Sequence, residues 1–197
     1  MKSRVLILFA HPRFEDSQIH KALIQRVRHS RSVHIHDLYE IYPAFNIDVY
    51  LEQRLLNKYD IIIWQHPVYW YSIPPLLKQW IDLVLSNGWA YGKNTHALEG
   101  KYLLQVFSGG HTEQSYSQDG YDKRSLRQYM ACHEQTAKHC HLNYLPPYVI
   151  HDAHKLSAVD TLSFAHQYER LLNQLIETDL SKEDFSKYVY INDWIKS

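Results

Sequence analysis

The stretch that decides the fold is Trp64-Gln65-His66-Pro67-Val68-Tyr69-Trp70-Tyr71-Ser72-Ile73-Pro74-Pro75, which follows the run Ile61-Ile62-Ile63. Three consecutive β-branched residues predict a strand covered on both faces, so the loop after it lies at a strand's carboxyl end. Open α/β sheets bind their ligands there. Each proline disfavours helical backbone in the residue before it, so we expect an extended loop with backbone amides free to face a ligand. We expect Trp70 to supply a ring that stacks on a flat, conjugated ligand.

Strand and helix patterns alternate around this loop. Predicted strands cover residues 5–10, 33–38, 60–65, 101–107 and 144–150, and predicted helices cover residues 18–28, 50–58, 75–86, 126–139 and 157–176. Five strands that alternate with five helices predict an α/β fold, in which helices cover both faces of a doubly wound, five-stranded parallel sheet.

Composition excludes several classes of function. Lys plus Arg and Asp plus Glu number 21 each, so no basic field attracts nucleic acid. Apolar runs stay well short of the roughly 20 residues that span a bilayer, and the first run, residues 5–10, is too short for a signal-peptide core and has no cleavage site after it. We therefore expect a cytoplasmic protein. The fourteen histidines match no strong ligand spacing, so we expect no metal site.

The turn after the first strand, His11-Pro12-Arg13-Phe14-Glu15-Asp16-Ser17, contains neither GxGxxG nor GxxxxGK[ST]. Ser17 stands just before a predicted helix, where its hydroxyl and the first amides can hold a phosphate. Considered alone, Ser17 fits an ordinary helix cap better. His11 lies at the end of the first strand, where it can donate to a phosphate or ribityl oxygen, or can be a surface loop histidine.

A third loop, Phe107-Ser108-Gly109-Gly110, follows the fourth strand. Paired glycines let backbone amides approach a ligand closely, although a lone Gly-Gly is usually a turn. Three strand ends thus carry parts suited to a phosphate, an aromatic ring system and the polar edge of that ring. Together they predict a mononucleotide with a large flat head, which is FMN.

The chain resembles the flavodoxin-like NAD(P)H:quinone oxidoreductases, and most of all the ancillary quinone reductase subunits of glutathione-regulated Kef potassium-efflux systems. The resemblance spans roughly residues 4 to 175 and is carried by Ala10-His11-Pro12, by Asp37-Leu38-Tyr39, by residues 64–92 almost unbroken, and by residues 142–147. It implies a flavodoxin-like fold and two-electron reduction of quinones or related electrophiles on FMN, by ping-pong hydride transfer with NAD(P)H as co-substrate.

The resemblance also implies the residues of the site. The implied FMN contacts are His11, Ser17, Gln18, Ile19, His20, Val68, Tyr69, Trp70, Tyr71, Phe107, Ser108, Gly109 and Gly110. Tyr116 and His111 are the candidate catalytic residues, because a donor must stabilise the developing quinone oxyanion. Mammalian relatives have a Tyr followed by a His, which act as charge stabilisers. Tyr116 matches the first, whereas Tyr121-Asp122 stands where that His is sought.

Partners are implied in the same way. Relatives form homodimers, and the alternative function is that of a regulatory flavoprotein subunit, which binds and activates a glutathione-gated potassium-efflux transporter at the inner face of the cell membrane. A one-electron flavodoxin carrier is a weaker alternative, because such carriers are strongly acidic and this chain has a pI near 7.3. We expect residues 1–176 to form the FMN domain, and residues 177–197 to form an extension that packs on the domain or on a dimer partner.

Overall fold

A parallel sheet forms the middle layer of the protein, of which the computed structural model describes residues 2–195. Its strands are β1 (Val5–Phe9), β2 (Val33–Asp37), β3 (Ile61–Pro67), β4 (Tyr102–Ser108), β5 (Asn143–Tyr144) and β6 (Tyr148–Ile150). They run in the order β2-β1-β3-β4-β5, and β6 also pairs with β4. All of these pairs are parallel. The prediction of a doubly wound, five-stranded parallel sheet is therefore confirmed.

The fifth position of the sheet is divided between two short strands. Residues 102–103 of β4 pair with β5, and residues 106–108 pair with β6. Pro146 and Pro147 stand between the two pieces, and neither has an N–H to donate to a ladder. The strand predicted over residues 144–150 is interrupted for this reason.

Seven helices lie between or after the strands in the described part of the chain. They are α1 (Gln18–Val27), α2 (Leu38–Ile41), α3 (Val49–Leu56), α4 (Pro75–Val84), α5 (Leu126–Tyr129), α6 (Ala131–His139) and α7 (Ala158–Glu177). Helices α1, α3, α4 and α7 lie within two residues of their predicted bounds. The helix predicted over residues 126–139 is broken at Met130, whose backbone leaves helical geometry. Helix α2 was not predicted; the Asp37 carboxylate caps it by accepting from Tyr39 N and Glu40 N.

The sheet separates two halves of the hydrophobic core. Helices α1 and α7 cover one face, where Leu23 and Leu171 belong to the same buried cluster as Ile7 of β1. The other helices cover the opposite face, where Trp80 packs in the same cluster as Leu8. Because β1 and β3 are covered on both sides, their sequences are almost continuous apolar runs.

The chain after α7 packs on the sheet edge. It forms three 3-10 turns, at Leu180–Lys182, Phe185–Lys187 and Ile191–Trp194. The side chains of Ile191 and Trp194 are buried against the α1 and α7 face. The division into an FMN domain over residues 1–176 and a packed extension over residues 177–197 stays a prediction, and residues 1, 196 and 197 lie outside the described part. Within residues 2–195, every helix is too short or too polar to cross a membrane.

Candidate functional site

A cavity of about 460 Å³ lies at the carboxyl ends of β1, β3, β4 and β6. This volume is within the usual range for a small-molecule site. Its walls come from four segments: His11, Arg13, Asp16, Ser17, Gln18 and Ile19; then Pro67, Val68 and Tyr69; then Ser108, Gly109 and Gly110; and finally Ala153 and His154. Three of these four segments were predicted.

The first wall is the N-terminus of α1. Ser17 caps this helix, since its Oγ accepts from His20 N at 3.1 Å. Gln18 and Ile19 follow in the first turn, where backbone amides have no acceptor within the helix, and both line the cavity. The positive end of the α1 dipole therefore opens into the cavity. The capping role of Ser17 is observed, whereas its contact with a ligand stays a prediction.

His11 adds a donor to the same wall. Its Nδ1 accepts the backbone N–H of Arg13 at 3.2 Å. Burial lowers the pKa of His11 to about 4, against a smaller raising effect of Asp16. The ring is therefore neutral at pH 7, and because Nδ1 is an acceptor, the proton is on Nε2. Asp16, the one carboxylate among the residues that line this cavity, is paired with the Arg13 guanidinium.

The aromatic loop after β3 forms the second wall only through its first residues. Tyr69 and Ser72 exchange two backbone hydrogen bonds of 3.0 Å, which close a tight turn. Trp70 and Tyr71 occupy its centre with φ of 48° and 60°, a left-handed conformation that costs roughly 1–2 kcal/mol per residue. The turn carries Trp70 away from the cavity wall, and the residue is 93% exposed. The stacking role of Trp70 stays a prediction.

The backbone amides of Val68 and Tyr69, in the loop after β3, were expected to be free to face a ligand, but both are already hydrogen-bonded within the protein. The N–H of Val68 donates to Ser108 O at 2.8 Å, and the N–H of Tyr69 donates to Ser72 O at 3.0 Å. These two amides therefore belong to the sheet extension and the turn. Val68 and Tyr69 line the cavity, and the Tyr71 hydroxyl donates to Asp122 Oδ1.

The loop after β4 forms the third wall. Strand β4 continues through Ser108, so the Phe107 side chain points into the core, where its ring stacks on His66 with centroids 5.7 Å apart. Any contact of Phe107 with a ligand is thus limited to its backbone. A Cβ on Gly109 would lie 2.7 Å from Leu126 Cδ1, and the Gly109 amide donates to Ile150 O. Close packing explains this glycine, rather than a free amide.

His20 lies behind the third wall. It is buried, and its Nε2 is 3.0 Å from the Oγ of Ser108. His20 was predicted as a direct contact, but it reaches the cavity only through Ser108. Its contribution as a contact stays a prediction.

The two candidate catalytic residues lie side by side next to the third wall. The rings of His111 and Tyr116 stack with centroids 5.5 Å apart. His111 is half-exposed, whereas Tyr116 is buried. Nδ1 of His111 is 2.8 Å from Oδ2 of the buried Asp122 carboxylate. Asp122 therefore occupies the region where the family histidine was sought, and its carboxylate contacts the ring of His111.

Sequence reasoning missed one wall entirely. Ala153 and His154 follow β6 and line the cavity, as do Arg13, Asp16 and Pro67. The rule that ligands bind at carboxyl ends of strands applies equally to β6, and it would have pointed to residues 151–154. Asp122 was noticed only as a departure from the family pattern.

A doubly wound sheet with a cavity at its carboxyl edge defines an open α/β protein of the type that binds small ligands there. A family model described as flavodoxin-like fold matches residues 3–183, and the chain belongs to this family.

Relatives agree with this assignment. The glutathione-regulated potassium-efflux system ancillary protein KefG of Erwinia tasmaniensis is 42% identical over 165 residues, which cover 84% of this chain and 90% of the relative. General stress protein 14 of Treponema denticola, solved in complex with FMN, is 38% identical with a TM-score of 0.82, and the match covers 87% of this chain and 99% of that one. An NADPH-quinone reductase of P. pentosaceus is 30% identical with a TM-score of 0.78, covering 86% and 97%. The family resemblance found in the sequence is confirmed.

Proposed function

We propose that this protein is an FMN-dependent oxidoreductase that reduces quinones, or related small electrophiles, with NAD(P)H. The observation that carries the proposal is the set of groups around the cavity that can donate hydrogen bonds: the first-turn amides of α1, the Nε2–H of His11 and the hydroxyl of Ser108. Donors in this arrangement suit a ligand with a phosphate at one end and carbonyl oxygens at the other. The FMN bound to the Treponema denticola relative supports this assignment.

The residues of the cavity fit this cofactor segment by segment. Ser17, Gln18 and Ile19 would hold the phosphate at the positive end of α1. Val68 and Tyr69 would border the ring, and Ser108 to Gly110 would meet its polar edge. FMN, when bound, supplies a ring that accepts a hydride from NAD(P)H and passes two electrons on to a quinone. We propose that NAD(P)H and quinone use this site in turn, which is a ping-pong scheme.

His111 and Asp122 supply the proton chemistry in this proposal. Reduction of a quinone to a hydroquinone needs a hydride and a proton. In the protonated ring, Nδ1–H donates to the Asp122 carboxylate and Nε2–H is the proton left for the quinone oxygen, after which solvent reprotonates the half-exposed ring. Tyr116 packs under the His111 ring and, with Asp122, limits its orientation.

Titration with FMN tests the proposal. The protein should quench FMN fluorescence with a stoichiometry of about one per chain. Riboflavin, which lacks the phosphate, is the matched control ligand and should bind at least roughly tenfold more weakly, since charge-assisted bonds are the strong ones. Equal affinity for the two would contradict the phosphate site, and failure of both to bind would end the proposal.

A regulatory role is the second candidate function. The 42% identity to an ancillary protein of a potassium-efflux system favours a subunit that docks on such a transporter at the membrane's inner face, with catalysis incidental. The transporter of the source organism, reconstituted in vesicles, separates the two roles. Potassium efflux that rises on addition of a catalytically dead variant supports regulation, whereas quinone turnover with no effect on efflux supports the enzyme. A homodimer is proposed in both cases.

A further inference from the structure

Four polar side chains form a line from α7 to the cavity. The Tyr168 hydroxyl is 2.9 Å from Gln65 Oε1, Gln65 Nε2 is 3.4 Å from His20 Nδ1, and His20 Nε2 is 3.0 Å from Ser108 Oγ. Tyr168, Gln65 and His20 are buried, and Ser108 lines the cavity. We call these four residues the Ser108 chain. Four different elements contribute to it: α7, β3, α1 and β4.

The hydrogen bonds of the Ser108 chain run in one direction, from donor to acceptor. Tyr168 donates to the carbonyl oxygen of Gln65, which turns the amide nitrogen toward His20. Nδ1 of His20 then accepts, and the ring proton is on Nε2, where it donates to Ser108 Oγ. Burial, reinforced by His11 and His66, lowers the pKa of His20 well below its usual range. The ring is therefore neutral, with one donating and one accepting nitrogen, as this direction requires.

We propose that Tyr168, Gln65 and His20 are positioning residues that hold the Ser108 hydroxyl as a hydrogen-bond donor to the cavity. Because Oγ already accepts from His20, the hydroxyl proton remains available, and a ligand acceptor at this point takes it. The inference rests on the proposed function in one respect: the acceptor is a carbonyl oxygen or an unprotonated nitrogen of the FMN ring. The cavity thus selects for a ring edge of defined polarity.

If the hydrogen bonds of the Ser108 chain ran in the reverse direction, the cavity would favour a donor on the ligand in place of an acceptor. If the Gln65 amide turned over, His20 would carry its proton on Nδ1, and Ser108 would donate to Nε2. The cavity would then meet only the lone pairs of Oγ and would favour a ligand N–H. The histidine tautomer therefore distinguishes the two arrangements, and it is measurable without any ligand.

The first measurement is long-range ¹H–¹⁵N NMR of the FMN-free protein with ¹⁵N-labelled histidine, in which His20→Asn assigns the signal. We expect the Nε2–H tautomer for His20 at pH 7. A Nδ1–H tautomer overturns the proposal. In Tyr168→Phe, the Gln65 amide loses the donor that orients it, so the signal should shift toward the second tautomer.

The second measurement is FMN affinity by fluorescence titration. Ser108→Ala and Tyr168→Phe should each weaken binding by about three- to tenfold, the value of one hydrogen bond. Tyr148→Phe is the matched control, because this neighbouring buried tyrosine donates instead to Phe164 O and Gln167 Oε1. In the double variant, Tyr168→Phe should add nothing to Ser108→Ala, since both act through one hydroxyl. Additive losses, or an unchanged affinity in Ser108→Ala, would overturn the proposal.

The two measurements keep this inference separate from the proposed function. A protein with the Nε2–H tautomer that fails to bind FMN contradicts the cofactor assignment and leaves the direction of the chain established. A protein that binds FMN but carries the other tautomer contradicts the positioning role alone. If Tyr168→Phe does not fold, the wild-type tautomer and Ser108→Ala still decide the question.

Discussion

At the level of single residues, the contact between His111 and Asp122 suggests two roles that can be tested apart: Asp122 orients the ring, and His111 transfers the proton. If Nε2 of His111 passes a proton to the quinone, His111→Gln should slow turnover roughly a hundredfold, the low end of what general acids contribute. The loss should fall on reoxidation by quinone, because reduction by NAD(P)H needs no proton from this side chain. Stopped-flow absorbance at 450 nm follows the two half-reactions separately.

Asp122→Asn tests the orienting carboxylate, and we expect a smaller loss in the same half-reaction. Asp119→Asn, an exposed acid in the same loop, is the control for removing a charge. If both half-reactions slow equally in His111→Gln, the residue shapes the cavity and does not transfer the proton.

At the scale of elements, the edge of β6 is closed by one side chain. Val149 N donates to Asn192 Oδ1, and Asn192 Nδ2 donates to Val149 O, both at 3.0 Å. An unpaired strand edge is an aggregation hazard, and this amide satisfies it as a neighbouring strand would. Asn192→Asp places a carboxylate against the Val149 carbonyl, so we expect a loss of about 1–3 kcal/mol in the free energy of unfolding, measured with urea at pH 7.

The exposed Asn173 in α7 provides the matched control, since Asn173→Asp makes the same chemical change away from the sheet. Equal urea midpoints for wild type and Asn192→Asp would mean that the Asn192 side chain contributes nothing to the stability of the sheet edge.

At the scale of the whole molecule, buried neutral histidines make stability depend on pH. Burial lowers the pKa of His66 to about 3 and that of His133 to about 4. A histidine whose folded pKa is depressed stabilises the fold fully above its unfolded pKa of 6.5, and this contribution is lost as pH falls toward the folded pKa. Each such histidine should remove about 1.4 kcal/mol per pH unit in that window. Urea unfolding at pH 7.5, 6 and 5 should therefore give steeply falling free energies.

His133→Gln should flatten this dependence between pH 6.5 and about 4, since the Gln oxygen can still accept from Gln105 as His133 Nδ1 does. His29→Gln at an exposed position is the control for introducing glutamine. An unchanged slope in His133→Gln would show that His133 is not held neutral.

Features that depend on residues close together in the sequence could be predicted, whereas contacts between residues far apart in the sequence could not. Strand runs such as Ile61–Ile63 and helix patterns are local, so they predicted most strands and helices and, through the strand ends, three of the four cavity walls. The direction of the Phe107 side chain was not predicted: β4 continues through Ser108, and this side chain points into the core, where it stacks on His66. The Ser108 chain joins residues as far apart as 20 and 168, and no periodic pattern encodes such a pairing.

The left-handed turn at residues 69–72 exposes Trp70, whose fluorescence can report on events at this loop. Of its five tryptophans, Trp64, Trp80 and Trp194 are buried and Trp89 is partly covered, whereas Trp70 is 93% exposed beside the loop that borders the cavity. Iodide or acrylamide in solution collides mainly with this indole, so quenching isolates its emission from that of the core. A substrate or partner surface that covers the turn can thus be timed in solution without attaching a dye.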